Sequence, residues 1–321
     1  MKTKIITISF FVLLIACSKQ TVDPSPSNPP PIANPASLIA QTSFTANWST
    51  STRATGYFLD VATDAAFTSL VPGFNNLSVA STSISVTGLK PGTNYFYRVR
   101  AKYAGGASGN SLTISLVTTR PIVWFFGDSG TLGLGASTPD NRWTSVLCGI
   151  KDWHEKNYGT SYESLLKASE NTGTTTFFEK YKDLIVTRQP DDKYMFIAYG
   201  GNDCAFNFPD YTTDLFSTQL QTIITFANSK GWTNNSIVVL CGYFENDNSW
   251  SANYGGMGNP AATMTRYFSF ITAAQTVANS NAGVYFVNPF NSYDATELAD
   301  GLHPNDAGYA AIANYVASLI P

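Results

Sequence analysis

Four short apolar runs, separated by segments of helical pattern, constrain the fold of this chain more than any other feature. They occupy residues 122–126, 194–198, 237–240 and 284–287. Continuous runs too short for a helix and bounded by Gly, Asn or Pro are typical of strands buried on both faces. Between them, apolar residues recur at helical spacing, for example at Phe216, Leu220 and Ile223. The alternation of such strands with helices predicts a parallel sheet between two layers of helices.

The 321-residue length leaves room for a second domain, and residues 36–119 have a different texture. Short β-rich segments alternate there with turns, which predicts a small all-β sandwich. Residues 89–99 (LKPGTNYFYRV) resemble the E–F corner of a fibronectin type III domain. The resemblance implies that Tyr95 is the corner tyrosine, that Trp48 is a core tryptophan, and that the domain acts as a spacer, with a protein- or glycan-binding module as the alternative.

The first residues are typical of an export signal. A basic start with Lys2 and Lys4 precedes eleven apolar or small residues, which is too short a run for a permanent membrane span. Residues 14–17 (LIAC) resemble a bacterial lipobox, which implies a lipoprotein signal peptide over 1–16 and acylation of Cys17. Ordinary cleavage near Ala16 is the alternative.

The residues after the leader, and the composition, narrow the setting further. Residues 17–35 are rich in Pro, Ser and Asn and are expected to form an extended tether. We therefore expect an extracytoplasmic protein held on a bacterial membrane by a lipid anchor, with the outer membrane favoured and its periplasmic or surface side left open.

Charge and composition exclude several classes of function. Charged residues make up only 13% of the chain and the formal net charge is −3, so no basic face is expected to bind nucleic acid. With two histidines, a Cys/His zinc site is not expected, nor is any other metal or cofactor. Structural roles are predicted for His154 and Cys204.

Three motifs carry reactive side chains. The first two come soon after the predicted strands 122–126 and 194–198, and the third lies in the loop beyond the last predicted strand. They are Gly127-Asp128-Ser129, Gly200-Gly201-Asn202-Asp203 and Asp300-Gly301-Leu302-His303-Pro304. The carboxyl ends of parallel strands meet at one edge of the sheet, where α/β proteins bind their ligands. A nucleophilic serine needs a base, the base needs an orienting carboxylate, and the oxyanion needs N–H donors. These motifs together supply each of those groups.

In these motifs the chain resembles the SGNH (GDSL-like) hydrolase family, over roughly 200 residues. The resemblance implies a flavodoxin-like α/β/α domain over residues 121–321 and a catalytic triad of Ser129, His303 and Asp300. It also implies that the Ser129 N–H and the Asn202 side chain lie in the oxyanion hole. Asp128, Gly200 and Asp203 are then structural residues near the site.

The second family block departs from the pattern. The family places a glycine at its last position, where its N–H completes the oxyanion hole, whereas residues 157–162 (NYGTSY) end in Tyr162. Either the Tyr162 N–H serves instead, or Gly173 takes the place after an insertion.

The resemblance and the domain order together imply a serine ester hydrolase that works through an acyl-enzyme without a cofactor. The expected activity is that of a carbohydrate O-acetyl esterase at the cell envelope, acting on an acylated small molecule or polysaccharide. The alternatives are a lipase or thioesterase acting on longer acyl chains, and a non-catalytic glycan-binding lipoprotein.

Overall fold

A computed structural model describes residues 28–166, 178–179, 182–205, 211–242 and 260–321 of the chain. The predicted signal peptide, the lipidation site Cys17 and the alternative oxyanion donor Gly173 lie outside the described residues.

Eight strands build the all-β sandwich at the N-terminal end. They are β1 (Ala33–Ser37), β2 (Ser43–Trp48), β3 (Gly56–Ala62), β4 (Leu77–Val79), β5 (Ser83–Thr87), β6 (Asn94–Tyr103), β7 (Gly106–Ala107) and β8 (Ile114–Val117). One antiparallel sheet has the order β1-β2-β5, and the other has the order β4-β3-β6-β7 with β8 also paired to β6. Alternating burial along β2 and β6 places one face of each strand in the core between the sheets.

The two aromatic residues singled out in this domain lie where a fibronectin-like sandwich needs them. Trp48 is buried in the core and packs edge-on against Tyr57, with ring centroids 5.6 Å apart. The Tyr95 hydroxyl accepts a hydrogen bond from the Lys90 N–H at 2.9 Å, which fixes the corner before β6. Strand β1 begins at Ala33, which pairs with Trp48, so the sandwich starts inside the segment expected to be tether.

A five-stranded parallel sheet forms the C-terminal domain. Its strands are β9 (Ile122–Gly127), β10 (His154–Gly159), β11 (Asp192–Ala198), β12 (Ile237–Leu240) and β13 (Tyr285–Val287). The spatial order is β10-β9-β11-β12-β13, and every neighbouring pair is parallel. This is the flavodoxin-like order, which reverses direction between β9 and β11 and opens a crevice there. The predicted fold class is confirmed.

Helices cover the sheet because its central strands are buried on both faces. They are α1 (Ser129–Leu132), α2 (Trp143–Lys151), α3 (Gly201–Ala205), α4 (Thr213–Ser229), α5 (Pro260–Ser280) and α6 (Asp306–Leu319), with 3₁₀ turns at Pro139–Asn141, Asn234–Ser236 and Ala295–Glu297. Helix α2 packs on α6 and α4 packs on α5. Within the described ranges, no helix has both the length and the apolar character needed to cross a bilayer.

Candidate active site

Ser129 begins helix α1, immediately beyond the carboxyl end of β9. A Cβ atom on Gly127 would lie 2.0 Å from the Thr131 side-chain oxygen, so only glycine lets the chain turn this tightly. Asp128 caps the short helix, since its carboxylate accepts a hydrogen bond from the Gly130 N–H at 2.9 Å. The turn therefore presents the serine hydroxyl at the edge of the sheet, with its own N–H in the first helical turn.

His303 connects this hydroxyl to a carboxylate. Its Nε2 lies 2.9 Å from Ser129 Oγ, and its Nδ1 lies 2.8 Å from Asp300 Oδ2. The other oxygen of Asp300 accepts hydrogen bonds from the backbone N–H groups of Leu302 and His303, at 3.0 and 2.7 Å. These separations match those of a nucleophile, a base and an orienting group in hydrogen-bond contact.

The surroundings of Asp300 favour its ionised form. Partial burial raises the pKa of this carboxyl, but hydrogen bonds from His303 and Leu302 outweigh burial and hold the pKa below its usual value. An ionised carboxylate at Nδ1 fixes the orientation of the imidazole ring and stabilises the imidazolium that forms when His303 accepts a proton.

Two side chains of α6 hold the serine loop against the histidine loop. The Tyr309 hydroxyl donates a hydrogen bond to the Leu134 carbonyl at 2.6 Å, and the Leu134 N–H donates to the Ser129 carbonyl at 2.9 Å. The Asp306 carboxylate accepts hydrogen bonds from the Ser137 N–H and hydroxyl, at 2.8 and 2.6 Å. Because α6 starts three residues after His303, these contacts set the distance between nucleophile and base. No motif in the sequence marks Asp306 or Tyr309 for this role.

Asn202 lies at the same edge of the sheet, within α3. Its side chain is buried, and Nδ2 donates one hydrogen bond to the Glu163 carbonyl at 2.7 Å. The amide nitrogen carries two N–H groups, so this bond leaves the second donor for another acceptor. The contact joins α3 to the loop that contains Tyr162.

Asp203 also joins α3 to the loop that contains Tyr162. Its carboxylate accepts hydrogen bonds from the N–H groups of Leu165 and Leu166, at 3.1 and 3.0 Å, and from the Gly200 N–H at 3.2 Å. Complete burial raises the pKa of Asp203 most strongly, and the backbone hydrogen bonds only partly offset that effect, so the pKa is about 6. Asp203 thus ties the third family block to the second.

Gly200 is a position that only glycine fits. Its φ is +120°, and a Cβ atom there would lie 2.3 Å from the Cys241 sulfur. The chain can therefore turn from β11 into α3, and bring Asn202 to the edge of the sheet, only because residue 200 has no side chain.

Tyr162 is the described candidate for the third oxyanion donor. Its φ is +61°, the left-handed conformation that favours glycine, which is the residue the family has at this place in the motif. With Ser129, Leu134, Ser161 and His303 it lines a cavity of about 30 Å³. Neither the Ser129 N–H nor the Tyr162 N–H has a hydrogen-bond acceptor among the residues that the structure describes. The role of Tyr162 remains a prediction.

The cysteines and the second histidine lie outside this constellation. Burial raises the pKa of Cys204 to about 12, which keeps its thiol protonated near neutral pH. Cys148 and Cys241 are likewise buried with free thiols. His154 pairs with Ile122 at the amino end of β9, whereas Ser129 follows the carboxyl end. In the described part of the chain, no three His, Cys, Asp or Glu side chains converge as metal ligands would.

Two family models match the chain. Residues 125–311 match the GDSL-like Lipase/Acylhydrolase family, and residues 30–117 match the Fibronectin type III domain. A search of curated protein sequences found no match.

Solved structures with a similar fold include two bacterial esterases. A carbohydrate acetylesterase family member from Sinorhizobium meliloti is 16% identical, with 62% of this chain and 96% of that chain covered and a TM-score of 0.48. A family two carbohydrate esterase from Clostridium thermocellum, in complex with cellohexaose, is 15% identical, with 87% of this chain and 92% of that chain covered and a TM-score of 0.44.

Proposed function

The chain belongs to the GDSL-like lipase/acylhydrolase family, as an SGNH-type esterase behind an N-terminal fibronectin type III domain, and from this premise we propose that it removes acetyl groups from a carbohydrate. The observation that carries the proposal is the unbroken chain of contacts from Ser129 through His303 to Asp300 beside a very small cavity. The contacts support ester hydrolysis by a serine nucleophile, and the small cavity supports a short acyl group.

The contacts give each residue a role in two half-reactions. His303 Nε2 takes the proton of the Ser129 hydroxyl as its oxygen attacks the ester carbonyl carbon, and Asp300 stabilises the resulting imidazolium. The tetrahedral oxyanion accepts hydrogen bonds from the N–H groups of Ser129 and Tyr162 and from the Asn202 amide. When the carbonyl re-forms, the bond to the alcohol oxygen breaks, and His303 gives that oxygen its proton.

The acyl-enzyme is then hydrolysed by the same groups in reverse. His303 takes a proton from water while the water oxygen attacks the acyl carbon, and the same oxyanion donors stabilise the second tetrahedral intermediate. The ester bond to Ser129 breaks as His303 returns the proton to the serine oxygen. Acetate leaves, and the enzyme is restored.

The size of the cavity favours a short acyl group. Its volume of about 30 Å³ is about a tenth or less of the roughly 300–1,000 Å³ of pockets that bind drug-sized ligands. Among the described residues, the space beside Ser129, Leu134 and Tyr162 therefore suits an acetyl group better than an octanoyl chain. This supports acetyl transfer over the lipase and thioesterase alternatives.

The proposed carbohydrate substrate and the proposed membrane location rest on the N-terminal segments. A lipoprotein signal with an acylated Cys17, a tether and a fibronectin-like spacer would hold the catalytic domain on a bacterial membrane outside the cytoplasm, with the outer membrane favoured and its periplasmic or surface side left open. Acetylated polysaccharides are polymeric esters that such a protein would meet.

The test is hydrolysis of 4-nitrophenyl acetate, butyrate and octanoate, followed by acetate release from acetylated oligosaccharides. Ser129→Ala is the inactive variant, and Ser217→Ala is the matched control, because the Ser217 hydroxyl only bonds to the Thr213 carbonyl within α4. We expect hydrolysis that requires Ser129, prefers acetate and extends to the sugar esters. A preference for octanoate would favour the lipase alternative. If Ser129→Ala hydrolyses the nitrophenyl esters and the acetylated oligosaccharides as fast as the wild-type protein, the mechanism is contradicted.

One observation favours the non-catalytic alternative. The bulky Tyr162 stands where the family has glycine, and a displaced backbone there would remove one oxyanion donor. The same assays decide the matter, because a glycan-binding protein would bind the oligosaccharides without releasing acetate.

A further inference from the structure

Tyr162 has an exposed side chain at the mouth of the catalytic cavity. It is 64% exposed, the largest value among the described aromatic residues. Its ring forms no aromatic contact, and its hydroxyl forms no hydrogen bond, with any residue in the described ranges. The ring therefore contributes little to the core of the domain.

The backbone at this residue makes the presence of a tyrosine more unusual. A φ of +61° is unfavourable for a side chain of this size, whereas glycine adopts it at no cost. Burial of the ring would offset that strain, but most of the ring is in solvent. A strained residue whose side chain does not stabilise the fold is best explained by a function at the site it borders.

The position of the ring indicates what it would contact. If the cavity beside Ser129 holds the acyl group, the alcohol part of the ester must lie at the cavity mouth. There Tyr162 and the partly exposed Leu134 provide apolar surface, and none of the described residues that line the cavity carries a fixed charge. Such a rim suits a neutral group with one apolar face. A pyranose ring, whose C–H groups form such a face, fits this requirement.

We propose that the Tyr162 ring is a stacking platform for the sugar ring that carries the acetyl group. This inference rests on the proposed function and deepens it, since it assigns the contact that selects a carbohydrate as the alcohol part. The side chain then recognises the leaving sugar, while the backbone N–H of the same residue serves the oxyanion.

The experiment compares two acetates that differ in the ring. Methyl 6-O-acetyl-β-D-glucopyranoside carries a pyranose, and ethyl acetate carries none, but both need the same oxyanion hole. A defect in that hole changes kcat/KM for both esters equally, so the ratio of the two values isolates the contribution of the ring.

Three variants make the comparison specific. Tyr162→Asn removes the ring and keeps a residue that tolerates positive φ, Tyr162→Phe keeps the ring, and Tyr315→Asn removes a partly exposed tyrosine from α6 as the control. We expect Tyr162→Asn to lower the ratio of sugar ester to ethyl acetate about fivefold, mainly through KM, from a stacking contact of ordinary strength. Tyr162→Phe and Tyr315→Asn are expected to keep the wild-type ratio.

The outcomes separate this inference from the proposed function. An unchanged ratio in Tyr162→Asn, with both esters cleaved in a Ser129-dependent way, would overturn the platform and leave the esterase intact. An equal loss on both esters would assign Tyr162 to the oxyanion hole alone and would also overturn it. If the wild-type protein cleaves neither ester, the proposed function fails and the platform fails with it.

Discussion

Replacement of Asp203 by asparagine tests how the second and third blocks of the active site are joined. The buried carboxylate accepts backbone hydrogen bonds from Leu165, Leu166 and Gly200, and its pKa is raised from 3.8 to about 6, chiefly by burial. A carboxyl whose pKa is higher in the folded state binds its proton more tightly there. Its contribution to stability is therefore complete below pH 3.8 and is lost as the pH rises through about 6.

The magnitude follows from this interval in pKa. A difference between 3.8 and about 6 corresponds to about 3 kcal/mol in the free energy of unfolding, of which about 2 kcal/mol falls between pH 4 and pH 7. No discount for solvent screening applies, because Asp203 is fully buried. Asparagine does not titrate, so the destabilisation caused by Asp203→Asn should be about 2 kcal/mol larger at pH 4 than at pH 7.

Urea unfolding of the wild-type protein and of Asp203→Asn between pH 4 and pH 8 measures this difference. Tryptophan fluorescence is a suitable probe, since four of the five described tryptophans lie in the catalytic domain. Asp306→Asn is the control with the opposite sign, because hydrogen bonds from Ser137 lower the pKa of Asp306 and its stabilisation is lost as the pH falls. A flat or reversed difference for Asp203 would show that its three hydrogen bonds outweigh burial.

Three further substitutions test the site. Asp300→Asn is expected to lower kcat for 4-nitrophenyl acetate by about 10³- to 10⁴-fold, because an amide does not stabilise the imidazolium; a loss below tenfold would remove Asp300 from the triad. Gly200→Ala is expected to lower the free energy of unfolding by about 2 kcal/mol or more. Adding Cys241→Ala to that variant should restore the part of the stability that is lost to the clash with the Cys241 sulfur. If it restores none, that clash is not a cause of the loss. Asp306→Ala is expected to lower kcat more than it raises KM, since it releases the serine loop from α6; an unchanged kcat would show that Tyr309 suffices.

The fold was predictable wherever the signal was local. Strands β9, β11 and β12 are buried over most of their length and β13 is partly buried, and each appears in the sequence as a short apolar run. Strand β10 is different, because none of its residues is fully buried and its sequence HEKNYG mixes polar and apolar residues. No apolar run identifies it, and only its likeness to the second family block indicated its place.

The candidate site was likewise predictable only where its residues lie in local motifs. Ser129, Asn202, Asp300 and His303 occur in short motifs near strand ends, where the sequence alone predicts that they meet. The contacts of α6 with the serine loop have no such signal, because Ser137, Asp306 and Tyr309 lie outside these motifs. The sequence also left the third oxyanion donor open, because the left-handed conformation of Tyr162 depends on how its loop is held.

The geometry of the site is thus set from two sides. Asp306 and Tyr309 hold the serine loop against the start of α6 and so govern the distance over which His303 takes the proton. Asp203 holds the loop of the second block against α3 and so fixes where Asn202 and the Tyr162 N–H, the proposed oxyanion donors, stand relative to each other. In the described residues the two networks share no side chain. A change in either one should therefore impair a different step of catalysis, proton transfer in the first case and charge stabilisation in the second.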